Sequence, residues 1–152
     1  MNRTDIAILE HLQTDATLSV SAVSERVGIS KTACWRRIKA LENNGTIRTR
    51  VTLLDPEKVN LGVTVFAMVK TNQHRSEWLN RFTDAIDAMP EVLEFYRLSG
   101  DADYLLRIVA TDIKAYDAVY KRLIKAVELL DVSSSFVMES LKYTTTLPME
   151  SD

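Results

Sequence analysis

Between Lys31 and Arg50 the chain carries six cations, Lys31, Arg36, Arg37, Lys39, Arg48 and Arg50, against the single carboxylate of Glu42. Guanidinium groups pair bidentately with guanine or phosphate and lysine acts as a point charge, so this grouping suits a polyanion. A second set lies in Ser99-Gly100-Asp101-Ala102-Asp103, where two carboxylates flank a small residue beside small polar donors. Backbone N–H groups near Gly100 could receive a ligand carboxylate, while Asp101 or Asp103 holds its ammonium. Ser133, Ser134 and Ser135 add hydroxyls to an otherwise apolar stretch. Tyr104, Ser134, Ser135 and Phe136 are counted with Ser99, Gly100, Asp101 and Asp103 as candidate ligand contacts.

Each set has a plainer reading, a solvated charged face for the first and a hydrophilic hairpin tip for the second. Against the plainer reading of the first stands its local charge, +5 over residues 31–50 in a chain whose formal net charge is −2. Asp101 and Asp103 also have the residue types of a paired-acid hydrolase, but nothing else supports that chemistry. The chain shows no nucleophile–His–acid set, no glycine-rich phosphate loop and no metal-ligand cluster, since His11 and His74 are the only histidines. No metal and no cofactor are expected.

The elements that must position the cations are two short amphipathic helices around Gly28. Val20, Val23 and Val27 share one face of the first, which Ser19 or Ser21 caps and Gly28 stops. Ser30 caps the second, where Cys34, Ile38 and Leu41 form the inward stripe and leave Lys31, Thr32, Arg36 and Lys39 outside. Asn43-Asn44-Gly45 closes it. This is a helix-turn-helix, whose second helix enters the major groove of double-stranded DNA. The candidate contacts are Ser30, Lys31, Thr32, Trp35, Arg36, Arg37 and Lys39. Trp35 borders both faces, with packing against the first helix or a wing preferred. A helix from Thr4 or Asp5 to about Gln13 turns Ile6, Leu9 and Leu12 inward. Residues 46–53 alternate and are rich in β-branched side chains, which predicts a strand, a wing bringing Arg48 and Arg50 to phosphate.

Pro56 marks a turn, and the domain boundary is placed there. Beyond it the pattern predicts a strand over 63–71, a helix over 76–89 and a strand over 92–98. A turn, a strand over 103–110, a helix capped by Thr111 or Asp112 and a strand over 132–139 follow. Trp78, Phe82, Ile86 and Met89 face inward from the first helix, and Ile113, Tyr116, Tyr120 and Leu123 from the second. The order β-α-β-β-α-β is the ferredoxin-like split unit. Its helices cover one sheet face, and apolar residues on the other, Phe66 and Met68 or Tyr104, Leu106 and Ile108, predict a second copy as cover.

The fold class is therefore α+β: a winged helix-turn-helix over 1–53, a hinge over 54–61, a ferredoxin-like domain over 62–141 and a tail over 142–152. Residues 1–50 hold eight Lys/Arg against five Asp/Glu and the remainder eleven against sixteen, a basic head on an acidic body. Cys34, the one cysteine, excludes an intrachain disulfide and is expected as core filler. No apolar run reaches the length of a membrane span, and the start lacks a signal-peptide pattern, so a cytoplasmic, nucleoid-associated protein without a membrane partner is expected.

The whole chain resembles the Lrp/AsnC (feast/famine) family of transcriptional regulators. The likeness rests on Thr4-Asp5, Ile29-Ser30-Lys31-Thr32-Ala33-Cys34-Trp35-Arg36-Arg37, Leu53-Leu54-Asp55-Pro56 and, most specifically, Ser99-Gly100-Asp101-Ala102-Asp103-Tyr104-Leu105-Leu106. Ala33 stands where the family usually has proline, and Ala102 where it often has an aromatic. The resemblance implies a DNA-binding head and a RAM/ACT-like domain that dimerises, assembles to octamers and binds a small amino acid between subunits. Further likeness, in Ser76-Glu77-Trp78, Met89-Pro90-Glu91-Val92-Leu93 and Lys142-Tyr143-Thr144-Thr145, is to cysteine-responsive members, so cysteine is the expected effector. The alternatives are a ligand-insensitive architectural DNA-binding protein and a ferredoxin-like dimeric enzyme. The head tells against the enzyme.

Overall fold

The computed structural model describes residues 1–150; Ser151 and Asp152, the end of the expected tail, lie outside the described residues. The chain forms two compact units, Met1–Leu53 joined by the segment from Leu141 onward, and Leu54–Ser140.

The first unit holds α1 (Arg3–Thr14), α2 (Val20–Val27) and α3 (Lys31–Asn43). Their boundaries follow from side chains that satisfy otherwise orphaned N–H groups. Ser19 accepts from the Ala22 amide, and Ser30 from that of Ala33. For α1 the cap is Asn2, not Thr4 or Asp5, because its Oδ1 reaches the Asp5 amide at 2.8 Å. Gly28 ends α2 in the left-handed region, φ 74°, where a Cβ carries a steric penalty. Ile8, Val23 and Cys34 are completely buried and close the three-helix core with Leu9, Leu12, Ile38 and Leu41. Ile8, which the spacing argument left out, is more buried than Ile6 at its flank.

The expected wing strand over 46–53 does not form. The Ile47 amide turns back to the Leu41 carbonyl, 2.9 Å, and the chain from 48 to 55 has no regular structure. A strand is defined by the ladder it joins, and among the described residues no other segment of this unit forms one.

The second unit begins with a 3-10 turn, Glu57–Val59, and then follows β1 (Val63–Lys70), α4 (Ser76–Asp87), β2 (Val92–Arg97), β3 (Tyr104–Ala110), α5 (Ile113–Ala126) and β4 (Asp131–Phe136). The sheet order is β2-β3-β1-β4, with every neighbouring pair antiparallel, the ferredoxin-like arrangement. β4 stops at Phe136 rather than 139, since β1, its partner in the sheet, begins at Val63 and the last bond runs from the Val137 amide to the Thr64 carbonyl.

Register decides the faces. Val65, Ala67 and Val69 lie opposite Ile108, Leu106 and Tyr104, and all six are buried beneath the helices. Tyr104, Leu106 and Ile108 therefore belong to the covered face, correcting their expected place on the second face. The open face carries Phe66 and Met68 as expected, and Leu105, Tyr96 and a 2.8 Å Arg107–Glu94 ion pair lie beside them. On α4, Trp78, Phe82 and Ile86 are buried; the helix ends at Asp87 rather than 89, and Met89, just past its end, is buried with them. On α5 the buried stripe is Tyr116, Val119 and Leu123, whereas Ile113 is exposed because the helix's first residue lies outside the stripe that meets the sheet.

Candidate nucleic-acid interface and ligand-binding surfaces

α3 presents an outer row of Lys31, Thr32, Trp35, Arg36 and Lys39, all exposed. Its members recur at three- and four-residue spacing, so they form one stripe along the helix. The opposite stripe of Cys34, Ile38 and Leu41 anchors the helix to α1 and α2. Ser30 also sits at this end, with its hydroxyl oxygen engaged as the helix cap. Trp35, for which packing was preferred, is 54% exposed and absent from the core.

The cations divide into two groups. Arg37, expected with the contacts, turns instead toward α1, where Nη1 lies 2.8 Å from Asp5 Oδ1. It is a clamp between helices, and its guanidinium is committed to that carboxylate. Glu42 takes two more: Lys39 at 2.7 Å and Arg50 at 3.2 Å. The Lys39 hydrogen bond holds the Glu42 carboxyl below the usual carboxylate range, so it remains an anion at neutral pH. Among the described residues Lys31, Arg36 and Arg48 have no ion-pair partner. Cys34 beneath this face is buried, and burial pushes its thiol pKa up, so it is held neutral.

The candidate ligand residues of the second unit lie in different places. Ser99–Asp103 is the β2–β3 hairpin tip, with Gly100 at φ 146°. Asp103 is structural in this chain. Its Oδ2 accepts from the Thr71 amide at 2.8 Å, its amide donates to the Val69 carbonyl, and its own carbonyl accepts from Leu98. The tip is thereby pinned to the end of β1, a role that Thr71 shares and that no sequence pattern announced. Asp101 and Ser99 are exposed. Ala102 is nearly buried, and Tyr104 is a core residue packed against Trp78, Phe82 and Phe95.

The serines belong to β4, at the opposite edge of the sheet from β2. Ser134, opposite Ala67, turns to the helices, where its hydroxyl bonds that of Tyr116. Burial pushes the Tyr116 phenol up, and the Ser134 bond opposes it. Phe136 packs edge-on to Tyr116 at 5.3 Å. Ser133 and Ser135 pair with Met68 and Phe66 and share the open face. A single chain therefore does not bring Ser99–Asp103 and Ser134–Phe136 into one pocket. The indentation beside the tip, of about 100 Å³, is lined by Gln73, His74, Arg75, Ser76, Leu79, Arg97 and Tyr104, of which only Tyr104 was a candidate. The missed signal is the basic pair Arg75 and Arg97, with His74 beside them.

Comparison with known proteins agrees with this two-part arrangement. Residues 1–48 match the winged helix-turn-helix DNA-binding model, and residues 64–147 match the Lrp/AsnC ligand binding domain. The chain is 50% identical to the Glutamate uptake regulatory protein of Zymomonas mobilis over 145 residues, 95% of this chain and 88% of that protein. It is 49% identical to the DNA-binding transcriptional activator DecR of Escherichia coli over 151 residues, 99% of both. A crystal structure of an AsnC family transcriptional regulator from Agrobacterium tumefaciens superposes with a TM-score of 0.93 at 57% identity, covering 97% of each chain. A transcriptional regulator from Neisseria meningitidis, solved as an L-Met complex, gives 0.91 at 38% identity over 97% of this chain and 96% of that one. No helix among the described residues is long and apolar enough to cross a membrane. With a helix-turn-helix head, a four-stranded α+β domain and full-length likeness to such regulators, the chain belongs to the Lrp/AsnC family of transcriptional regulators, not to a family of enzymes.

Proposed function

We propose that this regulator binds specific double-stranded DNA through the outer row of α3 and is tuned by cysteine bound between subunits of its second domain. The observation that carries the DNA half is the exposed row with unpaired Lys31 and Arg36, displayed by a Ser30-capped helix. Arg36 contacts base or phosphate, Lys31 and Thr32 lie at the helix end that meets base edges, and Arg48 reaches phosphate beside them. Arg37 supports the interface by fixing α3 rather than touching DNA. The domains work as 1–53, a hinge over 54–61 and 62–141, with the final segment returning to the head.

The effector half is supported by kinship. The Escherichia coli relative is named DecR, the Neisseria structure holds L-Met, and the Zymomonas relative is a Glutamate uptake regulatory protein. L-Met and glutamate are both zwitterionic at the α-carbon, and such a group suits a backbone turn and a free Asp101 on one subunit facing β4 serines of another. Separation of the tip from β4 within one chain supports a site completed by a second copy. The open sheet face, with Phe66, Met68 and Tyr96 partly exposed, supports dimerisation through the sheet. Octamers follow from further dimer contacts. Such a regulator works on the chromosome, in the cytoplasm.

The test is a titration of purified protein with each of the twenty amino acids in the presence of its own promoter DNA. Binding and assembly are read by gel shift and light scattering. A response to cysteine is expected, with Arg36→Ala weakening DNA binding about tenfold, the loss of one good contact. A response to a different amino acid overturns the cysteine assignment. DNA binding with no response to any of them makes the protein architectural.

A further inference from the structure

The head completes its core without its only tryptophan. Trp35 lies on α3 beside Arg36, one turn after Lys31 and Thr32 and one turn before Lys39, and remains 54% exposed. From Lys31 to Leu41 the helix contains no carboxylate, so the indole stands as the single large apolar group in a cationic row. Lysine and arginine on such a row serve any duplex, because every duplex presents phosphate. An exposed indole serves folding poorly, since its apolar surface stays in water.

If α3 enters the major groove, the ring goes with it, and the groove limits what it can meet. All four bases present hydrogen-bond donors or acceptors there, but the only apolar group on any base edge is the C5-methyl of thymine. We propose that Trp35 is a specificity-determining residue that packs on thymine C5-methyl groups in the half-site. The assignment rests on the reading of α3 as the recognition helix. It adds what that helix prefers: thymine at the position the ring covers, flanked by base-edge or phosphate contacts from Lys31 and Arg36.

The test uses the full-length protein and a 30-bp duplex that the wild-type protein enriches from a randomised pool. Each thymine is replaced singly by deoxyuridine, which removes the methyl and keeps the hydrogen-bonding edge. Wild-type binding is expected to weaken about fourfold at one or two positions per half-site, the effect of one buried methyl. At those positions the thymine-to-uracil ratio should fall to about 1 in Trp35→Ala and remain in Trp35→Phe. Circular dichroism of both variants verifies the fold. Wild-type indifference to uracil at every position overturns the proposal, as does a Trp35→Ala variant that keeps the full ratio. Failure to enrich any duplex overturns the DNA-binding reading itself, so the two failures are separate.

Discussion

Arg36 and Arg37 are adjacent in sequence and identical in chemistry, yet the helix sends them to different tasks. Successive residues are rotated by about 100°, so Arg36 stays on the outer row while Arg37 reaches Asp5 on α1 at 2.8 Å. Both partners of that pair are partly shielded, which places its worth near the upper end for exposed ion pairs, ~1 kcal/mol. Arg37→Ala should therefore lower the unfolding free energy by ~1 kcal/mol in denaturant titration. Adding Asp5→Ala should cost little more, because the partner has already gone. Additive losses would show that the two residues act separately. Composition revealed both arginines as cations but could not say which one a carboxylate elsewhere in the chain would claim. The same holds for Asp103, legible as a turn acid beside Asp101, whose bond to the Thr71 amide depends on a contact 32 positions away.

At the level of elements, local signals were sufficient for α2 and α3, where the determining interaction is local, whereas the α1 cap lies at Asn2 rather than Thr4 or Asp5. Ser19 and Ser30 cap within three residues, and Gly28 stops α2 through its own backbone. A Cβ at Gly28 would meet nothing within 4 Å, so its replacement carries backbone strain alone. Gly28→Ala should cost ~1 kcal/mol for the left-handed conformation, and Gly28→Asn clearly less, because asparagine tolerates that region. Thermal unfolding of the two variants checks the order, and equal losses would assign the cost to something other than φ. The wing failed as a strand for the complementary reason. Alternation over 46–53 records a segment able to pair, but pairing requires a neighbour, and the Ile47 amide finds the end of α3 instead. Ile113 was misplaced because the buried stripe of α5 runs through Tyr116, Val119 and Leu123 and leaves the helix's first residue exposed.

Across the whole molecule, the segment from Leu141 onward belongs to the head although it follows the sheet domain in sequence. Gln13 receives it: its Nε2 donates to the Leu147 carbonyl at 3.0 Å, and its Oε1 accepts from the Leu147 amide at 2.9 Å. Met149 packs against the three-helix core nearby. β4, which carries Ser134–Phe136, is thus tied covalently to a segment held on α1. Gln13→Ala should destabilise α1 by ~1–2 kcal/mol, the usual worth of two net hydrogen bonds. Truncation after Ser140 should do more, because it also uncovers apolar core. Amide exchange in the full chain is the measurement: faster exchange in α1 with unchanged protection in β1–β4 is expected. Unaltered α1 protection in both variants would show that the contact contributes no stability.

The sequence by itself determined the helix-turn-helix, its caps, its cationic row and the β-α-β-β-α-β order, since period, capping and turn chemistry act over a few residues. It also carried the family signature through Ser99–Leu106. Tertiary structure alone decided which cations are free, which face of the sheet holds Tyr104, and that the tail returns to α1. It also decided that the hairpin tip and the β4 serines stay apart within one chain. Those facts depend on register and on partners tens of residues distant, and a side chain's chemistry is settled only when such a partner arrives.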